Sequence, residues 1–145
     1  LREIYEIAKI FFCNVSEAQR ILQTQEHDPV KLMEMMRHLG PKIIVITDGP
    51  KGAYAYDGKE AWFMPPYPDP KPPYERTGAG DAFSSTFTVA LALGKSIPDA
   101  LRWGPINSMS VVQKIGAQAG LLSRPELEKF LAEAPEWYTP KKLSI

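Results

Sequence analysis

The stretch Lys42-Ile43-Ile44-Val45-Ile46-Thr47 is an unbroken β-branched run with no polar alternation. A strand of that kind needs cover on both faces, which suits a parallel sheet between helical layers better than a half-solvated antiparallel one. Gly40-Pro41 before it and Asp48-Gly49-Pro50 after it bound its length. Upstream, Ile10-Phe11-Phe12-Cys13 is a second short apolar run. Asn14 follows it, and Glu17 three places on completes a cap-like pair before Ala18, Ile21 and Leu22 repeat at helical spacing. Asp28-Pro29 announces another helix through Leu32, Met35, Met36 and Leu39. The order helix, strand, helix, helix, strand is that of an α/β fold.

Beyond the second strand, Asp57-Gly58 between Ala53–Tyr56 and Glu60–Met64 is the strongest hairpin signal in the chain, expected as an antiparallel edge to the sheet. Six prolines between Pro65 and Pro73 then force an extended loop. Helices are expected from the glycine-rich turn at 77–81 to Gly94, from Ser96 toward Lys114 with a kink at Gly104-Pro105, and from Pro125 onward. The 145 residues fit one domain with no internal repeat. Seventeen basic against seventeen acidic residues give no net charge, and with no basic stripe there is no reason to expect nucleic-acid binding. The amino end carries acids where a signal peptide needs a basic region, and no apolar run reaches the roughly 18–20 residues of a membrane span. A cytoplasmic location without membrane contact is expected, which a single cysteine, Cys13, also suits.

The chemistry concentrates in Thr77-Gly78-Ala79-Gly80-Asp81-Ala82-Phe83. Small residues directly before a helix let backbone N–H groups converge on an anion, and the helix dipole adds to the attraction. An acid at that spot works against an anion unless it takes a proton from an attacking nucleophile; spacing alone leaves open whether Asp81 is such a base or only a helix cap. Two other phosphate motifs are excluded. Five residues, not four, separate Gly52 from Gly58, and Glu60 stands where a Walker loop needs Ser or Thr; Phe83 stands where a dinucleotide fingerprint needs glycine.

These residues resemble the carboxy-proximal signature of the ribokinase-like (PfkB) carbohydrate kinases. Asn14-Val15-Ser16-Glu17 resembles that family's Asn-x-x-Glu motif, Thr47-Asp48-Gly49-Pro50-Lys51-Gly52 its nucleotide turn, and Gly116-Ala117 its closing loop. The four segments follow one another in the family's order. The resemblance implies a three-layer Rossmann-like ribokinase-type fold, mostly parallel with an antiparallel edge hairpin, of which this is the carboxy-terminal portion. It implies ATP-dependent phosphotransfer to a hydroxyl of a sugar or nucleoside. Asp81 would be the general base, and the amides of Gly78, Ala79 and Gly80 the anion hole. Asn14 and Glu17 would organise Mg²⁺ through water, while serving equally as a capping box. Thr47, Gly49, Gly52 and Gly116 would attend the nucleotide; Asn107 would either border the adenine or bond to neighbouring backbone.

The chain also departs from the pattern. Glu75 stands in place of the usual Asp, Arg76 in place of Thr, Ser or Pro, Thr86 in place of Gly or Ala, and Gly120 where some members offer a serine; Glu75 and Gly120 put a K⁺ site in doubt. Family members run near 300 residues, and their sugar-binding half precedes the Asn-x-x-Glu motif. The alternative is therefore a non-catalytic ATP-binding or interaction module derived from such a kinase. Without the preceding half, the Ile10–Cys13 strand would be an edge, expected to pair in a homo-oligomer or edge-paired dimer or to be covered by the first helix.

Overall fold

The computed structural model describes residues 2–145. Its contacts group them into two compact units: the first runs to Phe63 and takes up Lys141–Ile145, and the second is Met64–Pro140. The proline loop follows directly on the boundary between them.

The first unit contains helix α1 (Arg2–Ile7), strand β1 (Ile10–Asn14), α2 (Val15–Leu22), α3 (Pro29–Arg37), β2 (Ile43–Thr47), β3 (Ala53–Tyr56), all but the last residue of β4 (Ala61–Met64), and β5 (Lys141–Leu143). The strands form one sheet in the order β1-β2-β3-β4-β5. β1 and β2 are parallel with Ile10 opposite Ile43 and Asn14 opposite Thr47, and β2 and β3 are antiparallel. Ile44, Val45 and Ile46 are fully buried, as the β-branched run requires. Ile44 and Ile46 pack with Cys13, Ala18, Leu32, Met33 and Met36 in the core under α2 and α3. Met33, not Met35, is the buried partner of Met36 on α3.

Within this chain the sheet is mixed, with β1–β2 as its parallel pair. The hairpin is not its edge, because β5 pairs antiparallel with β4, Lys142 opposite Trp62. Lys141-Lys142-Leu143 has no apolar alternation to announce a strand, but exposed lysines are what an outermost strand uses to stay unpaired. Lys142 also meets Glu60 in an ion pair and lies over the Trp62 ring. At the other edge is β1, where Tyr5 of α1 packs edge-on against Phe11 at 5.1 Å.

The second unit holds α4 (Ala79–Ala92), α5 (Ile97–Val111) and α6 (Arg124–Ala132). Phe83 and Phe87 stack at 6.2 Å on α4, and Leu101, Trp103 and Ile106 of α5 are buried. α5 runs on through Pro105 and ends at Val111, three residues short of the expected Lys114. The proline loop is anchored by Tyr67, whose ring meets Tyr138 at 4.9 Å and whose hydroxyl donates to the Phe130 carbonyl at 2.8 Å. No helix among the described residues is long and apolar enough to cross a membrane.

Candidate functional site

In the first unit the candidate residues gather where β1 and β2 end. Their parallel pairing sets Asn14 beside Thr47, at the carboxyl ends of adjacent strands where open α/β sheets hold ligands. Asn14 caps α2: its Oδ1 accepts from the Glu17 N–H at 2.8 Å, and Glu17 Oε2 accepts from the Asn14 N–H at 2.8 Å. This reciprocal box satisfies two orphan donors and, on the exposed Glu17 side chain, leaves Oε1 without a partner among the described residues. No group of three metal-ligating side chains exists among the described residues. One free carboxylate oxygen beside an exposed amide therefore fits a hydrated Mg²⁺ that takes its other ligands from water and phosphate, and does not fit a dehydrated ion in a protein cage.

After Thr47 the chain makes a single 3₁₀ turn over Gly49–Lys51. Gly49 has φ of +53° with nothing within 4 Å of where a β-carbon would stand, and Gly52 has φ of +116°. The turn is closed by the Asp48 N–H donating to the Gly52 carbonyl at 2.8 Å. Lys51, exposed, reaches back to Asp48 at 3.5 Å.

In the second unit Gly78 is the N-cap of α4, at φ of +81°, and Asp81 is the third residue of the helix. The Asp81 side chain is exposed and forms no hydrogen bond or ion pair among the described residues, so it is not a cap. The Ala79 N–H turns back to the Arg76 carbonyl at 3.3 Å, whereas the amides of Gly78 and Gly80 have no partner among the described residues. Two of the three expected anion-hole donors are therefore available, with the positive end of a fourteen-residue helix behind them.

This turn is held from α5 and from the loop after it. Ser108 Oγ donates to the Ala79 carbonyl at 2.6 Å, and the Tyr74 N–H donates to the Val112 carbonyl at 2.8 Å. Asn107 is buried with both ends of its amide engaged: Nδ2 donates to Thr86 Oγ1 at 2.8 Å, and Oδ1 accepts from the Leu122 N–H at 3.0 Å. One of these bonds goes to a side chain of α4 and the other to backbone in the loop after α5. The first accounts for the unusual Thr86, the buried hydroxyl that Asn107 requires. Gly120 has no room for a side chain, since a β-carbon would stand 2.5 Å from the Ser110 carbonyl oxygen.

A family model described as "pfkB family carbohydrate kinase" matches residues 1–124. The chain belongs to the pfkB family of carbohydrate kinases. Among curated relatives, the ribokinase of Bacillus subtilis is 38% identical over 94 residues, which is 65% of this chain and 31% of that protein. The cytidine kinase of Thermococcus kodakarensis is 34% identical over 116 residues, 80% of this chain and 41% of that one. The structure of Arabidopsis thaliana ribokinase complexed with ribose and ATP superimposes with a TM-score of 0.83 at 26% identity, covering 90% of this chain and 43% of that one. This pfkB chain thus spans between about a third and under half the length of these three relatives.

Sequence reading gave no structural role to three residues around the pfkB signature: Glu75, Thr86 and Ser108. Thr86 and Glu75 stood out only as departures from the family pattern, and their partners lie 21 and 41 residues away. Ser108 gave no signal, because a serine on a helix has many uses.

Proposed function

We propose that this chain supplies the nucleotide-binding and base-bearing part of an ATP-dependent kinase acting on a hydroxyl of a sugar or nucleoside. The observation that carries the reading is the start of α4, where an unpaired, exposed carboxylate at Asp81 stands beside the unpaired amides of Gly78 and Gly80. A helix start that only bound anions would gain nothing from a free acid there. In the reaction, Asp81 takes the proton from the acceptor hydroxyl as its oxygen bonds to the γ-phosphorus of ATP. The bond to the β–γ bridging oxygen breaks, ADP leaves, and the free amides stabilise charge on the transferring group. Thr47 and Gly49 attend the nucleotide phosphates, and Gly52 permits their turn. Mg²⁺, held through water by Glu17 and Asn14, would neutralise phosphate charge. Crowding at Gly120 argues against a serine-type contribution to K⁺ at that place.

Acceptor recognition is assigned to polypeptide beyond these 145 residues, because the relatives are about twice as long. The acceptor class rests on those relatives, a ribokinase and a cytidine kinase. Calorimetric titration tests the reading: MgADP should bind at sub-millimolar to millimolar strength and raise the melting temperature by mass action. No heat and no shift at several millimolar nucleotide would favour a non-catalytic module.

For the chain on its own, the outermost position of β1 supports edge pairing with a second copy. Sedimentation should show a concentration-dependent dimer, and a monomer at all concentrations would remove that proposal.

A further inference from the structure

Residues 113–121, between α5 and α6, form neither helix nor strand. At their far end the loop is tied by the buried Asn107 to Leu122. Nearer its middle, the Gly116 N–H donates to Glu75 Oε1 at 2.6 Å, a charge-assisted bond reaching across 41 residues of sequence. The backbone of the same short segment is fixed to the end of α5, with the N–H groups of Tyr74 and Glu75 donating to the Val112 carbonyl at 2.8 and 3.4 Å. The segment before the glycine turn therefore clasps the loop at both Val112 and Gly116.

What the clasp holds is the next residue. A β-carbon on Gly78 would stand 2.7 Å from Ala117 Cβ and 2.8 Å from its Cα and carbonyl oxygen, so Ala117 lies directly on the N-cap of α4. Gly116 itself has φ of +91° with open space around it; glycine is needed there for its backbone angle, not for room. The loop is thus held by a side chain in a left-handed conformation, one residue from the cap whose amide is free.

We propose that Glu75 is a positioning residue: its carboxylate latches the Gly116-Ala117 backbone against Gly78 and so sets the opening by which a phosphate reaches the Gly78 and Gly80 amides. This rests on the phosphate-binding reading of that turn, and the experiment keeps the two apart. Amide hydrogen exchange is followed by NMR in wild type, Glu75→Ala and Glu75→Gln, and MgADP binding is measured by calorimetry on the same samples. In Glu75→Ala the Gly116 amide should exchange about tenfold faster, while the amides of Phe87 and Ile106 in the helices keep their rates. Glu75→Gln retains an acceptor oxygen and should stay within about threefold of wild type. MgADP affinity should fall about fivefold in Glu75→Ala and be largely restored in Glu75→Gln.

An unchanged Gly116 exchange rate in Glu75→Ala overturns the latch. Faster exchange with unchanged MgADP affinity overturns its positioning role. A wild type that binds no MgADP sinks the phosphate reading and that role together, and the exchange rates then still decide whether the latch exists.

Discussion

A β-carbon on Gly104 would stand 2.7 Å from Cδ2 and Cε2 of Phe83, so the ring of the pfkB signature is seated in the gap that a missing side chain leaves on α5. The phenylalanine beside the candidate base and the glycine 21 residues later are two halves of one helix contact. Gly104→Ala should therefore destabilise the protein, even though alanine favours a helix by about 1 kcal/mol. Overpacking of about 1–3 kcal/mol, set against that gain, leaves a net loss of up to about 2 kcal/mol in urea unfolding. Pairing it with Phe83→Leu should recover part of that loss in a double-mutant cycle, and additive losses would mean that the two positions do not share this contact.

Asn107→Ala should cost about 2 kcal/mol, because it leaves a buried Thr86 hydroxyl and the Leu122 N–H without partners. Asn107→Asp should also cost, since it puts a carboxylate in a buried site, even though the Thr86 hydroxyl can turn to donate to it. Chemical denaturation measures both. A variant as stable as wild type would show that the amide's bonds do not hold α4, α5 and the following loop together.

The first unit was legible where its determinants are local. The Asn14–Glu17 box joins residues three apart, the β-branched run states its own burial, and Asp57-Gly58 turns the hairpin between its own strands. In the second unit, the helix after Gly78 could be read from Phe83, Phe87 and Ala90. What was not legible depends on distant partners. β5 is strand only because β4 stands next to it, and Glu75 is a clasp only because Gly116 comes back to meet it. Asp81 shows both sides: spacing left cap and base open, and only the observed turn, with Gly78 as N-cap and the carboxylate unpaired, removes the cap.

Cys13 should be inert to thiol reagents in the native protein. Burial, with a smaller contribution from the charge of Glu17, pushes its thiol from 9.0 up to about 12. The raised value means the folded state resists losing this proton. Its contribution to stability is complete below pH about 9 and is lost as pH rises toward 12. Between pH 9 and 10.5, wild type should lose melting temperature more steeply than Cys13→Ala; parallel slopes would show that this thiol is not held neutral by folding.

Asp81→Asn should preserve MgADP binding while lowering phosphotransfer by about two to four orders of magnitude in any longer form of the protein that is active. Steady-state assays with ribose and cytidine as acceptors, run beside calorimetry, separate the two effects. Turnover near wild type would take the proton-accepting role away from Asp81.

The position of β5 at the far end of the chain has a consequence for assembly. The pairings from β1 to β4 join residues no more than 33 positions apart, as in Ile10 opposite Ile43, but β4 meets β5 only after the whole second unit has been traversed. Such a distant pairing forms late, because closing so large a loop costs entropy before any contact rewards it. Until Lys141–Leu143 docks, Ala61-Trp62-Phe63-Met64 is a naked apolar border, open to the same border on another nascent molecule. Refolding yield should accordingly fall as protein concentration rises, with the loss confined to the interval before the two lysines arrive to close that side.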